Sequence, residues 1–243
     1  MTYIILAAGK GEKLYPLTQN YPKTSYKLDD NTTVLQRTVR SIRKQDKNAE
    51  IVIVLGCHAE KLKEELIDEN VIFVINPFYE VTNSIASVWF ARDYLERENV
   101  SILHGDVVFD DYLTSEYLTK ETHWPYVLVD SSFVKSGAYN VVINENKVLI
   151  MSRKLENFNA KYCCMTKLDA VSARLVKQSV DQMINNNMYG LFFEDALVQM
   201  IMFQDFQLQC VDIKDFEWSE IDCVDDLIHA QNIQKNSKIV SRG

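Results

Sequence analysis

Glycine is scarce in this chain, 7 of 243 residues, and proline scarcer still at 4. No linker rich in glycine, proline or serine can be assembled from so few, and neither a low-complexity stretch nor an internal repeat interrupts the sequence. No apolar run approaches the about 18 residues of a membrane-spanning helix. The N-terminus enters a strand-like run within three residues, which leaves no room for a signal peptide and points to the cytoplasm. The five cysteines are odd in number and form no C-x-x-C pair. Neither a disulfide framework nor a zinc site is indicated, and buried free thiols are expected; Cys57-His58 reads as packing beside a loop. A basic tract is also missing, and the formal charge of −8 argues against a nucleic-acid partner.

What is present suffices for one large globular domain, because 47% of the residues are hydrophobic and 25% charged. The first half alternates short apolar runs with helical patterns. The runs are Tyr3–Leu6, Glu50–Leu55, Val71–Ile75, Val100–His104 and Tyr126–Val129. Between them, Val34, Leu35, Val39 and Ile42 recur at helical spacing within Thr33–Gln45, and Asn83 precedes a helix carrying Ile85, Val88 and Trp89. This alternation predicts an α/β chain with a doubly wound, mostly parallel, Rossmann-like sheet. From Tyr139 the pattern becomes a hairpin, YNVVI–NEN–KVLIM. A short run at Tyr162–Met165 follows, then helices over Ala170–Ile184 and Phe193–Phe203, a strand within Gln207–Ile213 and a last helix over Val224–Gln234. Residues 236–243 read as a frayed tail.

The scarce glycines concentrate where chemistry is expected. Gly9 and Gly11 stand two apart directly after the first strand, in the string LAAGKGEKLYPLTQNYPK from Leu6 to Lys23. Residues without Cβ turn successive N–H groups toward an anion, and Lys10, Lys13 and Lys23 add compact positive charge suited to phosphate oxygens. Two familiar phosphate loops are excluded. A Walker A loop requires four residues between its glycines and a lysine after the second, and a dinucleotide-binding turn needs a small residue where this chain has Leu14.

The string instead resembles the signature L-A-A-G-x-G-x-R-[LM]-x-P-L-T-x-x-x-P-K of the nucleotidyltransferases that activate sugar phosphates and related small phosphates. Lys13 stands where that family usually has arginine, which keeps the charge and loses the planar fork. ILHGD, ending at Gly105 and Asp106, stops a strand where ligands of an open parallel sheet sit, and the carboxylate there suits either magnesium or a turn cap. WSEID, ending at Asp222, resembles the family's C-terminal metal signature, which pairs Asp222 with Asp106. The resemblance implies a nucleotidyltransferase, GT-A-like domain over 1–235, with a nucleotide-binding half (1–130), a hairpin-containing acceptor half (131–222) and a C-terminal helix (223–235). It also implies Mg2+ on Asp106 and Asp222, a hard cation on hard carboxylates. Lys23 then serves the α-phosphoryl group, and Lys13 with Leu6, Ala7, Ala8, Gly9 and Gly11 holds the leaving pyrophosphate. His104 reads as a filled strand end, since an anionic phosphate acceptor needs no base.

NPFYEVTNSIASVWFA, Asn76–Ala91, narrows the resemblance to the branch that includes bacterial CTP:phosphocholine cytidylyltransferases and the cytidylyltransferases of phosphonates and other small head groups. It implies CTP as donor, with Asn83, Ser84 and Ser87 on the nucleotide side and Gly56 and Gly105 near it. Ser152-Arg153-Lys154 and Phe193–Leu197 resemble later segments of the branch, implying Lys154 and Glu194 as acceptor-site residues. Asn140 and Lys161 occupy acceptor-half positions where relatives often differ. They point away from phosphocholine toward a phosphonate, an amino-alcohol phosphate or a phosphorylated amino acid, whose carboxylate Lys161 could meet. A choline head group would want an aromatic cage, for which Tyr79, Trp89, Trp124, Tyr139 and Trp218 are candidates. The expected product is a CDP-linked head group for surface glycans or lipids, and a homodimer is left open. The alternatives are a sugar-1-phosphate enzyme using UTP or dTTP, and a nucleotide-binding regulator without catalysis.

Overall fold

A computed structural model describes residues 1–132 and 139–240. The first half contains β1 (Thr2–Ala7), a short hairpin of β2 (Lys27–Asp29) and β3 (Thr32–Thr33), α1 (Val34–Gln45), β4 (Glu50–Leu55), α2 (Ala59–Glu65), β5 (Ile72–Ile75), α3 (Ser84–Phe90), β6 (Asn99–His104), β7 (Val107–Phe109), α4 (Asp111–Leu113) and β8 (Tyr126–Asp130). The second half adds β9 (Asn140–Asn144), β10 (Lys147–Ser152), β11 (Ala160–Asp169), α5 (Ala170–Asn185), α6 (Phe193–Phe203), β12 (Gln209–Asp212), β13 (Trp218–Glu220) and α7 (Val224–Val240).

The main sheet has nine strands in the order β5-β4-β1-β6-β11-β8-β12-β10-β9. β5, β4, β1 and β6 are parallel neighbours, each an apolar run feeding a crossover. Strand alternation sends Tyr3 and Ile5 of β1 to one face, against Leu35, Val39 and Ile42 of α1 and Leu62 of α2. Ile4 faces the other way, into a core shared with Ile85 and Val88 of α3, Val176 and Val180 of α5, and Phe193 and Leu197 of α6. Helices therefore cover both faces. α1 starts at a capping box, in which Thr33 Oγ1 accepts from the Gln36 backbone N–H at 3.3 Å and Gln36 Oε1 accepts from that of Thr33 at 3.0 Å. Such a cap contributes about 1 kcal/mol.

Beyond β6 the sheet is mixed, with β10 and β11 running against the other strands. β11 corrects the sequence expectation most. The short run at Tyr162–Met165 is the middle of a ten-residue strand lying antiparallel between β6 and β8. Lys161 and Lys167 hide it by breaking the apolar pattern, yet both are buried. The last helix continues to Val240, so the boundary at residue 235 falls inside α7 and residues 236–240 are helical. α2, the β2–β3 hairpin and the β7–β13 pair were also not expected. β13 pairs with β7, and α7 packs Ala230 and Ile233 against Leu14, Leu28, Val34 and Val108, which binds the N-terminal loop to the C-terminal helix.

Lys167 is fully buried, and its ammonium donates to the Leu118 carbonyl at 2.6 Å. Burial lowers its pKa from 10.5 to about 7, with Asp46 and Glu121 offsetting part of the effect. Between those two values the unfolded chain binds more protons than the folded one, so stability rises with pH across that window. Compared with a Lys167→Met variant, the protein is expected to gain up to about 1.4 kcal/mol per pH unit there. Urea unfolding at a series of pH values measures this, and parallel pH profiles for the two proteins would contradict it.

Candidate active site

The C-terminal ends of β1 and β6 open into a cavity of about 410 Å3, with the backbone from Leu6 to Lys13 along one wall. The bend at Gly11 has φ 69°, a left-handed conformation, and a Cβ there would come within 2.9 Å of Thr18 Cγ2. Its carbonyl accepts from Leu14 N–H and from Thr18 Oγ1, each at 3.0 Å. A Cβ on Gly9 would meet nothing within 4 Å. This wall therefore offers bare, turned backbone to the cavity.

The same cavity gathers carboxylates from distant parts of the chain. β13 lies antiparallel to β7 with Glu220 opposite Val107, and the Ile221 backbone N–H donates to the Asp106 carbonyl at 3.0 Å. That register brings Asp106, Glu220 and Asp222 together, with one oxygen of each within 4.8 Å of the others. The Asp226 side chain accepts from the backbone N–H groups of Asp222 and Cys223 at 2.9 and 2.8 Å, fixing the bend before α7.

Two lysines of the N-terminal loop answer this charge. Lys23 pairs with Asp106 and reaches Asp222 at 3.5 Å, while Lys13 pairs with Asp222. Burial would depress the Lys23 pKa, but the charges of Asp106 and Asp222 overcome it and hold the ammonium above its ordinary value. Burial would raise Asp106, and Lys23 followed by His104 outweighs that, leaving the carboxyl below its usual range. The set is all hard oxygen donors, which fits a divalent cation such as Mg2+.

Of the residues singled out from sequence, Leu6, Ala7, Ala8, Gly9, Gly11, Lys13, Lys23, Asn83, Ser84, Ser87, Asp106 and Asp222 line this cavity. Asn83 also caps α3, its Oδ1 accepting from Ser84 N–H at 2.9 Å; Ser84 Oγ accepts from Phe193 N–H at 2.8 Å, and Asn76 Nδ2 donates to Ser87 Oγ at 3.2 Å. Gly56 and Gly105 do not line it and act by allowing close packing. A Cβ on Gly56 would lie 2.6 Å from Tyr79 Cβ, so the missing side chain lets Tyr79 form part of the wall. Gly105 donates its N–H to Leu6 O at 2.8 Å, holding β6 against the end of β1.

Lys154, Glu194 and Asn140 do not line the cavity. Arg153 and Lys154 are both exposed, and Arg153 alone of the two lines the cavity, its guanidinium carbon 5.0 Å from the Phe192 ring centre. Glu194 is fully buried behind His104, and Asn140 is buried with no partner for either side-chain polar atom. Lys161 is buried too, paired with Glu220 at 2.9 Å, so it is not the acceptor cation expected from sequence. Among the cage candidates only Tyr79 and Tyr139 line the cavity; Trp218 donates to Asp130 at 2.8 Å and Trp89 packs against Arg92. Sequence reading passed over Glu220, Arg153, Tyr162, Cys164 and Phe192. Glu220 stood inside the WSEID string itself.

Residues 2–123, about half of the chain, match the nucleotidyl transferase family. The chain belongs to this family. Its first strand, glycine turn and β6–Asp106 segment all fall within the matched residues of this nucleotidyl transferase. The chain is similar to the CTP:phosphoglutamine cytidylyltransferase of Campylobacter jejuni, 24% identical with 93% of this chain and 98% of that protein covered. In structure it is similar to the CTP:phosphocholine cytidylyltransferase of Streptococcus pneumoniae, with a TM-score of 0.77, 18% identity and 98% of each chain covered. It is similar also to the inositol-1-phosphate CTP transferase of T. maritima, at a TM-score of 0.77, 18% identity and 96% of each chain. Both structural likenesses concern the fold.

Because Lys23 and Lys13 occupy the carboxylates, a divalent ion must compete with two ammonium groups until an anionic ligand draws them away. Replacing Lys23 by methionine is expected to tighten Mn2+ binding in the absence of nucleotide at least about tenfold, or about 1.4 kcal/mol. The free Mn2+ resonance signal measures this, and unchanged or weaker binding would refute the competition.

Proposed function

We propose that the protein is a Mg2+-dependent cytidylyltransferase that joins CMP from CTP to a small phosphorylated acceptor bearing a carboxylate or primary amine, with release of pyrophosphate. The observation that carries this reading is the meeting of Asp106, Glu220 and Asp222 with Lys23 and Lys13 in the cavity that the glycine turn also lines. The near full-length similarity to a CTP:phosphoglutamine cytidylyltransferase favours CTP and an acceptor of that kind. Residues 1–130 would supply the nucleotide side and residues 131–222 most of the acceptor side.

Mg2+ held by the three carboxylates would neutralise triphosphate charge. Lys23 is held protonated and lies among the same carboxylates, so its charge can follow the negative charge that grows on the α-phosphoryl oxygens. An oxygen of the acceptor phosphate forms the new bond to the α-phosphorus as the bond to pyrophosphate breaks. The attacking group is already anionic, so no proton has to move. Lys13, half exposed at the rim, and the Gly9–Gly11 backbone would retain the pyrophosphate as it leaves.

Arg153, Tyr139, Tyr162 and Phe192 line another part of the cavity. With the Arg153 guanidinium over the Phe192 ring, that ring face is already occupied by a cation. A quaternary ammonium loses the face, whereas a carboxylate gains a planar, bidentate partner.

Asp106→Ala and Asp222→Ala are each expected to abolish pyrophosphate release while keeping a cooperative thermal transition; near-normal turnover by either variant would overturn the site. In a competition of four nucleoside triphosphates and a panel of acceptors, a carboxylate- or amine-bearing acceptor with CTP is expected to be used at least about tenfold more efficiently than phosphocholine. Arg153→Ala should erase most of the preference for the carboxylate. A dominant CDP-choline product, or a hexose-1-phosphate turned over with UTP, would reject the reading.

A further inference from the structure

Next to the carboxylates, the cavity carries a second group of ligating side chains for which the proposed transfer has no use. His104 ends β6, and its Nε2 meets Glu194 Oε1 at 2.7 Å. Glu194 is fully buried, and its second oxygen has no partner. This contact orients the imidazole and leaves Nδ1 as the ring nitrogen for another ligand, the arrangement by which carboxylates orient metal-binding histidines. Cys164 Sγ lies within 4.8 Å of a nitrogen of the same imidazole.

Cys164 is held there by the backbone. Between Tyr162 and Thr166 the pairing of β11 with β8 slips, from Tyr162 opposite Val129 to Thr166 opposite Val127. Cys164 sits inside this bulge with φ 60°, a left-handed conformation that a side chain disfavours unless its surroundings impose it. The bulge brings the thiol to the cavity wall, where one ligating atom each from His104, Cys164 and Glu220 lies within 4.8 Å of the others.

We propose that His104, Cys164 and Glu220 form a site for Zn2+ or another borderline-soft divalent cation, separate in ligand chemistry from the all-oxygen site and antagonistic to it because Glu220 belongs to both. Sulfur, nitrogen and oxygen together select zinc-like ions, whereas Mg2+ prefers oxygen alone. On binding, the thiol proton and the ring proton of a protonated His104 both pass to solvent, and three protein ligands leave a fourth position for water. The spacing rules that read zinc sites from sequence could not reveal this one, since its ligands come from three strands. Cation binding stands independently of the proposed transfer reaction; only the antagonism rests on it.

Co2+ titration of the metal-free protein provides the test. One equivalent is expected to produce a thiolate-to-cobalt charge-transfer band that Zn2+ displaces and excess Mg2+ does not. Cys164→Ser should lose the band and bind Co2+ at least about tenfold more weakly, while Cys223→Ser, altered beside Asp222, should retain it. Binding without the band, or a band that persists in Cys164→Ser, overturns the proposal. X-ray absorption at the zinc edge of the Zn2+-loaded unaltered protein needs no variant. A sulfur scatterer at about 2.3 Å is expected, and a shell of oxygen and nitrogen alone also overturns it.

Discussion

Asp106 can be buried at the end of β6 only because Lys23 meets it. An unpaired carboxylate at that depth would be strongly destabilising, and the pairing ties together parts of the chain that nothing local connects. Lys23 lies on the loop after β1 and Asp222 at the entry to α7, 199 positions further on. For these charges to meet, the loop must bend at Gly11, β13 must pair with β7 in register, and α7 must pack onto Leu14 and Val34. The same arrangement that keeps the folded protein electrically balanced prepares it for phosphate. In the proposed reaction a polyanion with a divalent ion would replace the internal pairs, the lysines turning to phosphoryl oxygens and the carboxylates holding the ion.

β11 shows how the fold uses buried polar groups. Inserted between β6 and β8, it carries Lys161 to Glu220, Lys167 to the Leu118 carbonyl and Cys164 to the neighbourhood of His104. Glu220 more than offsets the desolvation of Lys161, whereas that of Lys167 is offset only in part. The strand thereby links the sheet interior to both the carboxylate wall and the buried Glu194 behind His104.

Much of the cavity lining from the first half of the chain was legible because its chemistry is local. Glycines that expose backbone, lysines within one loop and a carboxylate at a strand end occupy short strings whose meaning depends on neighbouring residues. The lining from the second half was less legible because its geometry is not local. Arg153 and Lys154 are adjacent exposed cations, and only the structure shows that the first lines the cavity and the second does not. Glu220 stood beside Asp222 in plain view, but its closeness to Asp106 depends on the β7–β13 register. Gly56 was placed near the nucleotide by resemblance, whereas its missing side chain admits Tyr79 to the cavity wall.

By itself the sequence determined an α/β chain with a glycine-rich turn, a lysine set and two carboxylates, since strand periodicity and loop chemistry act over a few residues. Tertiary structure alone decided the place of β11 in the sheet, the third carboxylate, the arginine that lines the cavity and the meeting of His104 with Cys164 and Glu194. Those depend on which strands become neighbours and on which way a side chain leaves its backbone, and both are fixed by packing across the whole chain.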